Sequence, residues 1–309
     1  MMISKCGLEV KHMNYDFTDC RLCPRKCGAD RTRSAGMCGV SDKIKLAKVS
    51  LHEWEEPPIS FKNGAGTIFF SGCNLKCCFC QNYKISHECF GKEISIARLA
   101  DIFLEQQDKG AENIELVSAV QFVPHIIDAL DIVKHRLNIP VIYNSGGFEL
   151  EETLHMLNGY IDIYMPDIKY FSPELSKKYS GAKDYFLYTK KAVYEMHRQQ
   201  PKLIYDNNGK LLKGLIVRHL VLPHCRKDSI KVIDEINDLL PKRSYLVSLM
   251  SQYTPFYKAH EHKEIDRSVT AFEYKTVMQR AEEYEMEGFF QSKSSSSEKY
   301  IPEFDLLGI

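Results

Sequence analysis

Six times in succession the chain passes from a short apolar run to an amphipathic stretch long enough for a helix. The apolar runs lie at 67–71 (TIFFS), 114–118, 140–144 (PVIYN), 161–165 (IDIYM), 215–222 (LIVRHLVL) and 245–250 (YLVSLM). Helical patterns follow at 94–107, 123–135, 149–157, 174–179 with 185–198, 229–240 and 271–284. Short runs rich in Val, Ile, Tyr and Phe, bounded by Gly, Pro or polar residues, predict strands buried on both sides. Such strands alternating with helices predict a parallel sheet covered on both faces. Right-handed crossovers wind it into an open sheet or a barrel, with functional groups at the C-terminal strand ends. The expected fold class is α/β.

The 11 cysteines of the 309-residue chain are clustered. Cys20, Cys23, Cys27 and Cys38 fall within CRLCPRKCGADRTRSAGMCG, and Cys73, Cys77, Cys78 and Cys80 within SGCNLKCCFCQN. Cys6, Cys89 and Cys225 stand apart. The count is odd, and the first residues lack the basic stretch and long apolar run of a signal peptide. No segment holds the roughly 18 consecutive apolar residues of a membrane span. A soluble, cytoplasmic protein is expected, in which clustered thiols bind metal or do redox chemistry rather than form bridges. Basic and acidic residues number 41 each, giving a net charge of +0. A neutral chain has no bulk electrostatic reason to bind nucleic acid or an anionic membrane.

The second cysteine block begins directly after the first predicted strand. Cys73, Cys77 and Cys80 are separated by three and then two residues. Three thiolates on one tight loop can hold three irons of a cubane and leave the fourth iron open, much as a catalytic zinc site keeps one position free. A structural zinc knuckle is the alternative. Cys78 adds a fourth thiol, but neighbouring side chains diverge, so Cys77 and Cys78 are not expected to share one ion. The N-terminal block has the pattern CxxC, three residues, Cys, ten residues, Cys. Four thiolates suit either closed tetrahedral zinc or a second cubane. Arg21, Arg25, Lys26, Arg31 and Arg33 make this stretch basic, suited to an acidic electron carrier or simply to solvent. A serine-rich run at 292–297 reads as a linker to a short apolar tail that docks back on the body.

The CxxxCxxC spacing, with Phe79 just before the last cysteine and a strand before the first, resembles the radical S-adenosylmethionine superfamily. GTIFFSGCNLKCCFCQNYKIS, IPVIYNSGGFE, IDIYMPDIKY and GLIVRHLVLP together look like the pyruvate formate-lyase activating enzyme-like proteins, in the branch with an extra N-terminal cysteine block. The likeness covers nearly all of 15–290. It implies a partial (β/α)6 TIM-like barrel of the radical SAM type at 61–291, preceded by a Cys-rich metal-binding extension at 1–60 and followed by the linker and tail at 292–309. It also implies a [4Fe-4S] cluster on Cys73, Cys77 and Cys80, with S-adenosylmethionine on the open iron. One-electron cleavage of that cofactor yields a 5′-deoxyadenosyl radical, which takes hydrogen from a substrate. Cys20, Cys23, Cys27 and Cys38 would carry a second cluster or zinc. The implied partners are a protein substrate, such as a glycyl radical enzyme, and a flavodoxin- or ferredoxin-like electron donor. A peptide or small metabolite is the second substrate reading. A non-enzymatic iron–sulfur or zinc protein is the third.

The resemblance also nominates individual residues. Phe79 would lie near the adenine, or simply pack the loop. Asn82 would bond the cofactor or cap a turn. Ser118 opens the stretch 118–121, where the superfamily often has a glycine-rich segment meeting the cofactor's ammonium; that pattern is absent here. Asn144 and Ser145 end the third strand and are candidates for ribose or carboxylate contact. Asp167 and Lys169 stand in the order Asp-x-Lys of activating enzymes, and alternate residues share a face. They are the catalytic candidates and also cofactor-binding ones. The alternative is a rim salt bridge. Arg218, a charge inside an apolar run, must face the interior or find a partner, and contact with the cofactor carboxylate is expected. His219 should face the other way and pack. Cys225 is either a substrate relay or inert.

Overall fold

The computed structural model describes residues 15–291 and 303–309. Cys6 and the serine-rich run at 292–297 lie outside the described residues. The chain begins its regular structure with β1 (Lys45–His52), α1 (Pro57–Ser60), β2 (Ala65–Phe70), α2 (Tyr83–Ser86), β3 (Lys92–Glu93), α3 (Ile96–Asp108), β4 (Ile114–Val117) and α4 (Val123–Val133). It continues with β5 (Val141–Ser145), α5 (Glu151–Met156), β6 (Ile163–Pro166), α6 (Pro173–Ser180), α7 (Tyr185–Gln199), β7 (Ile204–Tyr205) and β8 (Leu211–Leu220). It closes with α8 (Arg226–Leu239), β9 (Leu246–Met250), α9 (Ala271–Glu283) and β10 (Gly288–Phe290).

The six predicted strands all form, as β2, β4, β5, β6, β8 and β9. The sheet runs β10-β9-β8-β6-β5-β4-β2-β1-β3, and every pairing from β2 to β10 is parallel. β3 and β10 are its two ends and do not pair with each other among the described residues. The result is an open, partial α/β barrel, as expected. Helices cover the outer face, where Phe70, Leu99, Phe103, Ile126, Tyr143, Val193, Val217 and Val232 are fully buried in one apolar layer. Burying such side chains stabilises by about 1.5–3 kcal/mol each before entropy is counted. Local signals place the helix ends. Ser95 caps α3 by accepting from Arg98 N–H, and Thr270 with Glu273 forms a reciprocal capping box at α9.

The barrel interior is divided. Toward the N-terminal strand ends, Ile59 from α1 joins Ile142, Ile163, Met165, Ile216 and Leu246 in an apolar plug. Above it the lining turns polar, with Thr67, Glu115, Asn144 and Arg218. Alternation along β8 explains the division of labour between neighbours. Arg218 faces the interior, while His219 faces outward and bonds the Ile168 carbonyl through Nδ1 at 2.6 Å.

Three features were not read from the sequence. β1 lies within the stretch expected as a separate extension, yet it pairs antiparallel with β2 from Leu46↔Phe70 to His52↔Ala65. The extension therefore contributes a strand to the main sheet. β10 is three residues long, too short for a periodicity signal, and extends the parallel sheet beyond β9. The hairpin of β7 with the first part of β8 lies off the main path. The expected docking of the tail is seen in detail. Leu306 N–H donates to Ala47 O at 3.1 Å and Val49 N–H to Leu307 O at 2.8 Å. Phe304 meets Phe69 edge-on at 5.5 Å.

Two outcomes follow for stability. Truncation after residue 302 should lower the unfolding free energy by about 1–3 kcal/mol in urea titrations, through lost strand pairing and the lost Phe304 contact. An unchanged midpoint would mean the tail is not docked in solution. His219 gives a pH dependence, because burial pushes its pKa down to about 4 despite the carbonyl bond. The unfolded ring takes its proton near pH 6.5 and the folded one near 4, so stability falls as pH drops through that window. The expected loss is roughly 2–3 kcal/mol between pH 7 and pH 4.5, flattened in His219→Gln. An equal pH slope in the variant would contradict this.

Candidate active site

The loop after β2 carries Cys73, Cys77 and Cys80 to the C-terminal end of the sheet. They line a cavity of about 780 Å³ together with Phe79, Asn82, Ser118, Asn144, Ser145, Asp167, Lys169 and Arg218. Every residue nominated for the cluster or the cofactor thus faces one space, and its volume is in the range of small-molecule sites. Cys78 is not among the lining residues. It packs in the same apolar cluster as Cys77, Tyr179, Tyr253 and Cys225, but of the two adjacent thiols only Cys77 lines the cavity. Cys225 does not reach the cavity either.

Cys77 is buried, Cys73 and Cys80 are half-buried, and each of the three thiols is hydrogen-bonded. Ser180 Oγ donates to Cys77 Sγ at 3.0 Å, Ser86 Oγ to Cys80 Sγ at 3.2 Å, and Leu75 N–H to Cys73 Sγ at 3.4 Å. Burial, reinforced by the neighbouring thiols, pushes Cys73 up to about 12 and Cys80 up to about 11. The free thiols are therefore protonated at neutral pH and must lose protons to bind metal. Among the described residues, no three Cys, His, Asp or Glu side chains are gathered tightly enough to hold a metal ion as they stand. The donor set nonetheless fits an open iron–sulfur cluster: three thiols on one loop, mutually repelling as anions, at the mouth of a cavity that also contains polar groups. One of these, Asn82 Oδ1, is buried without a hydrogen-bond partner, and although Asn82 stands at the N-cap of α2 its side chain makes no capping bond.

A chain of hydrogen bonds crosses the polar interior. Thr67 Oγ donates to Glu115 at 2.7 Å, and Asn144 Nδ2 donates to the other Glu115 oxygen at 2.6 Å. Arg218 donates to Asn144 Oδ1 at 2.6 Å, to Asp167 Oδ1 at 2.9 Å and to Glu55 Oε2 at 3.4 Å. Lys169 donates to the second Asp167 oxygen. Burial pushes the Asp167 carboxyl up, and the Lys169 ammonium and Arg218 guanidinium more than reverse this, leaving it below its usual range. Asp167 and Lys169 form an ion pair as the sequence allowed, half-buried in the cavity wall. Arg218 is held by protein groups on three sides.

The turns around the cavity show why particular residues are needed. Gly147 has φ +76°, and a first side-chain carbon there would lie 2.1 Å from the Asp167 carbonyl. Ser118 adopts φ +56°, the left-handed conformation a glycine takes easily. The stretch without glycines thus keeps a glycine-like backbone. Gln121 holds it, its Nε2 donating to Ser118 O at 2.7 Å, Ser71 O at 3.0 Å and Gly72 O at 3.3 Å.

The N-terminal block sits directly against the cluster loop. Cys73 N–H donates to Cys38 O at 3.1 Å. Arg25 donates to Asn74 O at 2.8 Å, and Arg31 to Gln121 O at 2.8 Å and Val40 O at 3.3 Å. Arg31 is fully buried, with its guanidinium over Phe17 and Phe122. Arg21 pairs with Asp19 and Arg33 with Asp30. Of the local basic patch read from the sequence, Arg25 and Arg31 are committed to internal contacts, while Arg21, Lys26 and Arg33 remain exposed to solvent. A methyl group on Gly36 would lie 3.5 Å from both the Cys27 and Cys38 sulfurs, so these thiols share one neighbourhood. Cys23 is pushed up to about 12 by burial, with Cys38 and Cys20 contributing. At Cys27 burial is outweighed by the amides of Met37, Ala29 and Cys27 itself, which draw the thiol down. Four soft donors of this kind fit zinc or a cubane.

Sequence reasoning missed Gln121, Glu115, Glu55 and Arg31. Glu115 carried a signal, a lone carboxylate in an apolar strand, of the kind that singled out Arg218. The others become visible only once the loops are folded together.

Among the described residues no helix is long and apolar enough to cross a membrane. The profile of the Radical SAM superfamily matches residues 67–207, from β2 through β7. An uncharacterized protein of Methanocaldococcus jannaschii is 30% identical over 289 residues, covering 91% of this chain and 79% of the relative. Among solved structures, SuiB of Streptococcus suis bound to the precursor peptide SuiA is similar at a TM-score of 0.48 and 11% identity, over 71% of this chain and 46% of that one. This chain thus spans just under half of SuiB. A domain of pyruvate-formate lyase-activating enzyme from Bacteroides vulgatus is similar at a TM-score of 0.39 and 11% identity, over 55% of this chain and 93% of that domain. The superfamily match runs over the same strands and loop that carry the three thiols and their polar cavity, and the chain belongs to the radical S-adenosylmethionine superfamily.

Proposed function

We propose that this protein cleaves S-adenosylmethionine reductively and directs the radical at a partner protein, in the manner of a glycyl-radical-enzyme activase. The observation that carries the reading is the opening of Cys73, Cys77 and Cys80 into one cavity with Asn144, Ser145, Asp167, Lys169 and Arg218. When bound, a [4Fe-4S] cluster with S-adenosylmethionine supplies a 5′-deoxyadenosyl radical that takes a hydrogen atom from the substrate. The chain's own work is to hold and shield. The three thiolates grip the cluster, while the hydroxyls of Ser180 and Ser86 bond two of the sulfurs and tune the potential. Asp167 and Lys169 hold the ribose hydroxyls and the amino-acid end. Asn144, Ser145, Asn82 and the Ser118 backbone complete that polar wall. Phe79, edge-on to Tyr253 at 5.7 Å, packs the adenine and excludes water. Arg218 fixes the direction of the Asp167 carboxylate.

The N-terminal block is read as a second iron–sulfur cluster that passes electrons inward from a flavodoxin- or ferredoxin-like donor. The support is the hydrogen bond from Cys73 N–H to Cys38 O, a short path of bonds between the two cysteine sets. Low-potential clusters and the ten free thiols among the described residues support a reducing, cytoplasmic compartment.

Anaerobic reconstitution tests both parts. The reduced protein should form 5′-deoxyadenosine, and Cys73→Ala should abolish it. Iron should reach about eight per chain, falling to about four when Cys20, Cys23, Cys27 and Cys38 are all changed to serine. About four irons plus one zinc in the unaltered chain would make the N-terminal site structural. A glycine radical should appear by electron paramagnetic resonance on mixing with a cognate glycyl radical enzyme. Its absence alongside intact cofactor cleavage would remove the partner assignment.

A further inference from the structure

The cavity has a second end that cluster and cofactor binding do not account for. β1 runs antiparallel to β2, with His52 opposite Ala65, the first residue of β2. The segment after β1 therefore enters the barrel at the start of β2, whereas the three thiols follow its end. Trp54, Glu55 and Glu56 from that segment line the same cavity as the thiols.

The charges at this end do not balance. Asp167, Glu56, Glu55 and Glu115 all lie close enough to Arg218 to act on its charge. Lys169 is the other cation in the network, and it is held by Asp167. Glu115 is satisfied by Thr67 and Asn144. Toward cations Glu55 has a long bond to Arg218, at 3.4 Å, and His52 lies 3.9 Å away. Burial draws that histidine's pKa down, so it adds little positive charge at neutral pH. Glu56 is 8% exposed, and its Oε2 is buried without a hydrogen-bond partner. A buried carboxylate oxygen without a donor is destabilising unless something supplies a proton or a cation. Burial, with the charges of Glu115 and Glu56 and a carboxyl–carboxyl hydrogen bond to Glu56 adding to it, raises the Glu55 carboxyl well above its ordinary range, so without a cation the two carboxyls are held by a shared proton that a bound cation would displace.

We propose that Glu55 and Glu56 form a subsite for a cationic group of the substrate, a primary ammonium or guanidinium such as a lysine or arginine side chain supplies. This rests on the reading of the cavity as a radical S-adenosylmethionine site and names the chemical class of the group the substrate brings into it. An ammonium donates three hydrogen bonds and a guanidinium five, enough to satisfy both carboxyls at once. Trp54, 65% exposed, lines the cavity near them and reports on its occupancy.

The test needs neither cluster nor cofactor turnover, because Trp54 is the only tryptophan of the chain and lines this end of the cavity. The full 309-residue chain is titrated with cadaverine, a diamine matching the lysine side chain, and with 1-pentanol as the neutral control, following tryptophan emission. Cadaverine should bind saturably and the alcohol should not. Glu55→Gln and Glu56→Gln, each checked for folding by circular dichroism, should weaken cadaverine about tenfold or more. No response to cadaverine, an equal response to the alcohol, or unaltered affinity in a folded variant would overturn the subsite. Failure of cofactor cleavage in the unaltered protein would instead overturn the reading of the cavity, while diamine binding still reported on the subsite.

Discussion

A guanidinium enclosed in the barrel, Arg218, ties together segments that share no continuous sequence. It bonds Asp167 after β6, Asn144 in β5 and Glu55 after β1 while standing in β8 itself. A charge at such depth is tolerated only when paired and hydrogen-bonded, and losing one partner of a buried pair typically costs about 3–5 kcal/mol. The pairing therefore sets the spacing of three strand ends. Asp167, held from one side by Arg218, holds Lys169 on the other, so the orientation of the polar wall depends on one residue in β8. The polar interior is tolerated because the apolar plug at Ile59, Ile142, Ile163 and Leu246 closes the other end of the barrel.

The two cysteine blocks form one structural unit. The Cys38 carbonyl accepts from the Cys73 amide, Arg25 reaches the Asn74 carbonyl, and Gln121 links the loop before Cys73 to the turn after β4. Arg31 closes this circuit by donating to the carbonyl of Gln121. Its planar fork serves several carbonyls at once, which an ammonium could not do from one position. Any movement of the N-terminal block is thus transmitted to the backbone beside the first thiol of the triad. A metal centre in one block would shape the environment of the other through hydrogen bonds as well as charge.

How far the sequence could be read differs from element to element. The long parallel strands and the capped helices were legible because apolar periodicity and burial on both faces leave a local record. β1 was not, although KLAKVSLH alternates passably, because its pairing with β2 is antiparallel and lies outside the strand–helix rhythm. β10 was too short to be seen. The thiol triad was legible because its spacing is itself the chemistry, and the divergence of Cys77 and Cys78 followed from adjacent side chains pointing apart. The basic character of the N-terminal block was legible, and Arg21, Lys26 and Arg33 do face solvent, but the fate of the other two arginines was not. Arg25 and Arg31 are spent on backbone carbonyls, and composition cannot distinguish a guanidinium in solvent from one enclosed between aromatic rings.

What the sequence determined alone is therefore the local part: the order of strands and helices, the loop that presents three thiols, and the residues that end each strand. Those depend on nearest neighbours and on periods of two and 3.6 residues. Tertiary structure decided which of those residues meet. Asp167, Asn144 and Arg218 converge because parallel pairing brings their strand ends side by side. Glu55 and Glu56 join them because an antiparallel β1 delivers its following segment into the barrel. Charge pairing at long sequence separation leaves no periodic trace along the chain, so only the folded structure reveals which carboxylates have a cation and which do not.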